Sequence, residues 1–334
     1  MNNFFKFLFL SLYIVFIGEI GIRTISHFTN IYEIEMLKYA KKLKRSSENP
    51  NLSHEHIPNS QSQLMGVNIV LNSLGHRNNE LQNEKANGEY RIHIIGSSIT
   101  LGWGIETEKT FTSVLEKKLN TNEKIKKEKK SYVVVNGGIG NTNTTHHVEL
   151  FKAQYNLINP DTVILQYFIN DAEIIKKKKN NYILKYSYFI AFIYQHIKSY
   201  SFHGTLYEYY SDLYNENNLG WISAKNSILK LKDLCNENDI SLIILFVPDF
   251  HDLSEKNPLT NLYLKITEQF NIMGIPIINS YESLSNEFKF NSLESWVSKN
   301  DAHPNSRAHS IIANDTYNFL IHTNLISKIK KFIY

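Results

Sequence analysis

An apolar run, Ile92, Ile94 and Ile95, stops at Gly96 and gives way to Ser97, Ser98, Thr100, Gly102 and Gly104. A buried strand that ends at a glycine and throws out a serine is one way α/β enzymes present a nucleophile. Gly and Ser are also ordinary turn residues, so a plain strand-to-helix turn is the competing reading. Three further stretches carry chemistry in comparable places. Residues 132–136 (YVVVN) lead into GGIGNTNT, residues 162–167 (TVILQY) lead into Phe168-Ile169-Asn170-Asp171, and residues 300–305 read NDAHPN. Each acidic, amide or glycine residue sits just past an expected strand or just before an expected helix. In an open parallel sheet such points gather along one edge, where ligands bind.

A serine hydroxyl is a weak nucleophile and needs a neighbouring base. His303 can take its proton, because imidazole titrates near neutral pH. Asp301 can hold the imidazole in the right tautomer and stabilise the imidazolium that forms. Asp and His two apart on an extended segment point to the same side, and Pro304 biases His303 towards that conformation. Blander readings stand beside these. Asp301 as a helix cap with His303 on the surface is one, and Asn170 as a turn residue is another. Among thirteen histidines, His146 and His147 read as solvent-facing on a helix, and His93 as packed within a strand.

The four stretches together resemble the SGNH/GDSL-type hydrolase superfamily, in the version found in bacterial membrane-anchored members. Its first block, Gly-Asp-Ser-x-Thr-x-Gly, is matched by Gly96-Ser97-Ser98-Ile99-Thr100-Leu101-Gly102, which implies Ser98 as nucleophile. The second block corresponds to Asn136–Thr142 and implies an oxyanion-hole glycine, Gly140, or Gly138 in the alternative register. The third, Gly-x-Asn-Asp, corresponds to Phe168–Asp171 and implies Asn170 as a side-chain oxyanion donor. The last, an Asp and then a His followed by Pro, corresponds to Asp301-Ala302-His303-Pro304. The N–H groups of Ser98 and Gly140 and the Asn170 amide would then surround a tetrahedral oxyanion, each such donor being worth about 100- to 1000-fold in rate. Two departures stand out. Ser97 replaces the usual Asp and Phe168 the usual Gly; neither removes a catalytic group. Residues 67–77 (VNIVLNSLGHR) also resemble the lead-in of the anchored members.

The resemblance implies a serine esterase acting through an acyl-enzyme on a carboxylic ester, O-acetyl foremost, of a carbohydrate or cell-envelope component. An O-acyltransferase using the same triad on a glycan is the nearest rival. A non-catalytic glycan-binding or assembly protein is the rival from another class. No cofactor or metal is expected. The partners expected are an ester-bearing small molecule or glycan and a membrane, not a nucleic acid, since a net charge of +4 is modest for 334 residues. One cysteine, Cys235, excludes an internal disulfide and a paired-cysteine metal site.

The elements that must position these residues follow from apolar runs. Strands are expected at 92–95, 133–136, 162–167, 241–246 and 275–278, and helices at 111–119, 147–155, 223–236, 262–270 and 306–320. Strands alternating with helices predict a three-layer α/β/α sandwich around a parallel, flavodoxin-like five-stranded sheet. Residues 4–22 are aromatic and apolar, broken by Lys6, Ser11 and Glu19, and are about long enough to span a bilayer. No small-x-small cleavage site follows, so residues 1–28 read as an uncleaved transmembrane signal anchor. Lys6 favours a cytoplasmic amino terminus, whereas Lys38, Lys41, Lys42, Lys44 and Arg45 argue the other way at a distance where that bias weakens. The family resemblance points to an extracytoplasmic catalytic domain on a single-pass protein. Residues 29–66 read as a helical stalk and a flexible linker, and 67–334 as the catalytic domain. An insertion at about 174–220 carries Lys176–Lys179 and an aromatic stretch. It reads as solvated surface or as a lid meeting an anionic glycan or a headgroup layer.

Overall fold

The computed structural model describes residues 3–82, 84–123, 130–175, 182–200 and 204–323. Five strands form one sheet: β1 (Glu89–Gly96), β2 (Ser131–Gly138), β3 (Thr162–Phe168), β4 (Ser241–Val247) and β5 (Ile277–Asn279). Their spatial order is β2-β1-β3-β4-β5 and every pairing is parallel. Ile94 of β1 faces Asn136 on one side and Ile164 on the other. The chain steps outward from β1 to β2 and then crosses back to β3 on the far side of β1. That reversal opens a crevice at the carboxyl ends of β1 and its neighbours. The last strand starts at Ile277 rather than Ile275, because Gly274 turns through a φ of 66° and Pro276 has no N–H for the ladder.

The helices used below are α1 (Asn3–Phe28), α2 (Tyr32–Lys42), α3 (Phe111–Thr121), α4 (Thr144–Ile158), α5 (Tyr188–Tyr200), α6 (Leu219–Glu237), α7 (Thr260–Ile272) and α8 (Ser306–His322). Alternation along the strands sends side chains to two faces. Val163, Leu165 and Tyr167 pack with Phe151 of α4, Trp221 of α6 and Phe270 of α7. Ile164, Ile94 and Leu245 pack with Leu115 of α3 and Ile312 of α8. The three-layer sandwich expected from the sequence is therefore present.

Residues 29–66 are not a stalk and linker. Only the helix of that expectation is there, as α2, and it is packed on the domain. Tyr39, Leu43, Leu64, Ile69 and Leu71 form a third core cluster with Leu101 and Trp103, which lie just past the expected nucleophile. Two short ladders, Lys44–Arg45 with Glu55–His56 and Gln61–Leu64 with Val67–Val70, fold the segment back on itself. Burial of each such aliphatic side chain contributes about 1.5–3 kcal/mol, which fixes a segment whose average composition is polar.

Helix α1 is 26 residues long, about 39 Å at 1.5 Å per residue, and is long and apolar enough to cross a membrane. Within it only Ile22 is buried. Of the expected insertion, α5 and the helices Tyr182–Tyr186 and Leu206–Leu213 are described. Lys176–Lys179 lie outside the described residues.

His146 and His147 do not face solvent; both are buried, because α4 packs its first turn against residues 54–56 and the second-block loop. His93 is packed, against Phe151 and His76. Burial lowers His56 and His309 to about 3 and His76 and His146 to about 4, and holds His93 and His147 well below the ordinary value. Unfolded, each titrates near 6.5. A native state that resists protonation is favoured fully above that pH and loses stability as pH falls below it. Each group then contributes up to about 1.4 kcal/mol per pH unit. The denaturation midpoint is expected to be level above about pH 7 and to fall steeply below about pH 6. A midpoint unchanged down to pH 5 in urea titrations would contradict this burial.

Candidate active site

The first block is a tight turn built on close approaches. β1 ends at Gly96, and Ser98–Leu101 form one short helical turn closed by Gly102 at φ 76°. A Cβ on Gly96 would overlap Thr100 and Gln166, and one on Gly138 would overlap the backbone of Leu101. Those two glycines let β1 and β2 press against the turn. Arg77 clamps it from the other side. Its guanidinium donates to the carbonyls of Leu101 (2.9 Å), Gly102 (2.7 Å) and Ile105 (2.7 Å). Burial lowers Arg77 to about 10, which leaves it charged at neutral pH.

The two serines point in different directions. Ser97 is buried, and its hydroxyl and N–H donate to Gln166 Oε1, which also accepts from Thr100. Ser98 Oγ lies 2.8 Å from His303 Nε2. His303 Nδ1 lies 2.5 Å from Asp301 Oδ1, which accepts the His303 backbone N–H as well. Asp301 and His303 stand on the strand Asp301–Pro304, paired with Trp296–Ser298. Asn305, not Asp301, caps α8 by accepting from Arg307 and Ala308, so the capping alternative for Asp301 is overturned. In the neutral imidazole, with Nδ1 donating to the carboxylate, Nε2 is the nitrogen that accepts from the serine.

Two aromatic residues complete this group, and neither was foreseen. Trp103 Nε1 donates to Asp301 Oδ2 at 2.9 Å. Burial opposes ionisation of Asp301, but the bonds from His303 and Trp103 outweigh it and hold the carboxyl below its usual range. Tyr32, four residues past the end of α1, has its ring centroid 6.3 Å from that of His303. Burial, with Asp301 and Glu33 nearby, pushes its hydroxyl up to about 12.

The second-block loop differs from expectation. The Gly140 N–H donates to the Tyr39 hydroxyl at 2.9 Å and does not open towards Ser98. Its carbonyl accepts from Lys44 at 3.1 Å and meets His54 at 3.2 Å. In the alternative register, the Gly138 N–H donates to Asn136 Oδ1 at 3.1 Å. Tyr39 in turn meets His56 Nε2 at 2.7 Å, and His56 Nδ1 meets the Gly75 carbonyl at 2.8 Å. Since that carbonyl can only accept, His56 donates from Nδ1 and takes the Tyr39 proton at Nε2. The Tyr39 oxygen is thereby left to accept from Gly140. Asn141, next in the chain, is exposed with φ 59°, a conformation Asn tolerates. Asn170 lies in the turn Ile169–Ala172 directly after β3, at the sheet edge that carries Ser98. Its side-chain amide makes no hydrogen bond among the described residues. The buried Asp171 closes that turn by accepting the Phe168 N–H at 3.0 Å. Phe168 supplies this N–H as a Gly would.

Among the described residues no group of His, Cys, Asp and Glu is arranged to hold a metal. Four sequence blocks thus meet at one sheet edge, with the serine, histidine and aspartate joined in a line. The chain resembles an SGNH/GDSL-type hydrolase. Solved structures similar to it include a lipolytic protein of the G-D-S-L family from Desulfitobacterium hafniense DCB-2, 15% identical with a TM-score of 0.40, covering 68% of this chain and 98% of that one. Another is an acetyl xylan esterase, 14% identical with a TM-score of 0.42, covering 69% of this chain and 99% of that one. A third is a two-domain esterase active on acetylated mannans, 16% identical with a TM-score of 0.46, covering 71% of this chain but 50% of that one. No protein-family model matches the sequence, and no curated protein matches it.

Proposed function

We propose that the chain is a membrane-anchored serine esterase of the SGNH/GDSL type. It cleaves a carboxylic ester, O-acetyl foremost, on a carbohydrate or cell-envelope component. The observation that carries this reading is the unbroken line from Ser98 Oγ through His303 to Asp301. In it, Ser98 attacks the ester carbonyl while His303 Nε2 takes its proton. The imidazolium then gives that proton to the leaving alcohol, and water deacylates the enzyme by the same route in reverse. Asp301, held ionised, stabilises the imidazolium. The Ser98 N–H and the Asn170 amide serve the oxyanion. With the Gly140 N–H engaged by Tyr39, we place the third donor at the Asn141 N–H. The Tyr32 ring, half-buried beside His303, offers an aromatic face to a sugar. Helix α1 serves as the single-pass anchor, with the catalytic domain extracytoplasmic.

The test is a serine-directed fluorophosphonate applied to the purified full-length protein, followed by mass spectrometry and a panel of acetyl esters and acetylated sugars. An adduct on Ser98 and release of acetate are expected. An adduct on Ser97, or none, would sink the reading. Acetyl appearing on an added sugar instead of as free acetate would make the enzyme a transferase.

A further inference from the structure

Two charged residues of α1, Glu19 and Arg23, have partners in the insertion. The Glu19 carboxylate accepts the N–H groups of Tyr188 (3.1 Å) and Phe189 (3.0 Å) and the Ser187 hydroxyl (2.8 Å). It therefore satisfies donors that open at the first turn of α5. Arg23 pairs with Glu19 at 2.6 Å, donates to the Tyr186 carbonyl at 2.9 Å and lies 4.3 Å from the Tyr188 ring centroid. Gly18 leaves room for the Phe189 ring, which a Cβ would meet at 2.6 Å. An acidic side chain on a membrane-spanning helix is costly unless it is partnered, and here its partners come from α5.

Parts of α5 and of the short helix before it turn apolar side chains outward. Ile193, Tyr194 and Ile197 are 40%, 50% and 65% exposed, and Ile183 and Tyr186 are exposed just before them. Phe16, Ile17 and Ile20 of α1, the helix whose Gly18 packs against Phe189 of α5, are exposed as well. A groove of about 480 Å³ between α1 and the start of the insertion's helices is lined by Leu12, Phe16, Ile183 and Ile190 together with Glu19 and Arg23. Apolar residues mixed with Tyr are the composition of a helix lying in a bilayer interface.

We propose that α5 and the turn before it form a second bilayer contact, locked beside α1 by Glu19 and Arg23. The contact holds the catalytic edge at the membrane surface. Tyr32 is four residue steps past Phe28, a reach of at most about 14 Å. With 6.3 Å between the Tyr32 and His303 rings and the length of the Tyr32 side chain added, the triad histidine lies within about 25 Å of the end of α1. Helix α5 meets α2 on the same side, with His196 3.9 Å from Glu33. The ester would accordingly be one carried at the membrane; that clause alone rests on the esterase reading.

The test is depth measurement on the full-length protein in phosphatidylcholine–phosphatidylglycerol vesicles containing doxyl-labelled lipid. The single native cysteine, Cys235, is buried, so a fluorescent maleimide reports on introduced sites. Ile193→Cys and Ile197→Cys are compared with Leu229→Cys and Leu264→Cys, exposed positions on α6 and α7. Label on α5 is expected to be blue-shifted and quenched several-fold more than label on α6 or α7. Equal quenching at 197 and 264 would overturn the proposal. Glu19→Ala is expected to lower quenching at 197 while leaving it unchanged for Ile17→Cys in α1. Unchanged quenching at 197 would overturn the lock. Depth is read without turnover, so a chain that hydrolyses nothing can still pass, and an active esterase can still fail.

Discussion

Ser98→Ala is expected to abolish ester turnover, a loss on the order of 10⁴- to 10⁶-fold in rate, while Ser97→Ala leaves it nearly intact. The two side chains are neighbours with different surroundings. Ser98 Oγ is the group on His303 Nε2, whereas Ser97 is directed into the sheet towards Gln166. Removing Ser97 Oγ takes one weak partner from Gln166 Oε1, which keeps its bond from Thr100 at 3.1 Å. The change should therefore appear as a small loss of stability, with kcat little altered. Steady-state hydrolysis of a soluble acetyl ester by both variants checks the pair. Full activity in Ser98→Ala would end the acyl-enzyme mechanism.

Asp301→Asn is expected to lower kcat by about 10⁴-fold, the effect typical of a triad in which the imidazole is offered the wrong partner. Trp103 makes the loss hard to evade here. The carboxylate accepts from His303 at one oxygen and from Trp103 at the other. An amide in its place has one acceptor. If its oxygen faces Trp103, its NH₂ meets His303 Nδ1 and moves the ring proton to Nε2, where Ser98 needs an acceptor. If its oxygen faces His303, two donors confront each other at Trp103. Adding Trp103→Phe should remove that second conflict and recover part of the lost rate. A double variant no better than Asp301→Asn would show that Trp103 does not govern the orientation at this position.

The meeting of Ser98, His303 and Asp301 was legible in the sequence because each block is short and its chemistry is local. Ser98 follows a strand-ending glycine, and Asp301 and His303 share one extended segment. The sheet was legible because its strands are continuous β-branched runs, set apart from helices of different period. What escaped notice acts across long separations through isolated residues. Trp103 reaches Asp301 over 198 positions, and Tyr39 reaches Gly140 over 101. Nothing around Tyr39 marks its hydroxyl as an acceptor, so Gly140 was assigned an open N–H that the fold has already used. Leu43 and Leu64 lie among Lys, Arg, Ser and Gln, where no period of 2 or 3.6 is visible. Their burial comes from the surface that Leu101 and Trp103 present.

That covering segment sets where the apolar helix α1 can be exchanged. A different span or a secretion leader joined just before Ile31 would keep Tyr32, Tyr39 and His56 in place and spare the second-block loop. The same junction made at Gly66, where the polar stretch ends, would discard the acceptor of the Gly140 N–H. An orphaned buried donor of that kind costs about 1–3 kcal/mol, and Leu101 and Trp103 would be laid bare beside it. The catalytic centre is thus inherited together with the segment from residue 31 onward, whereas trading the stretch before it also gives up Glu19 and Arg23, the partners of α5.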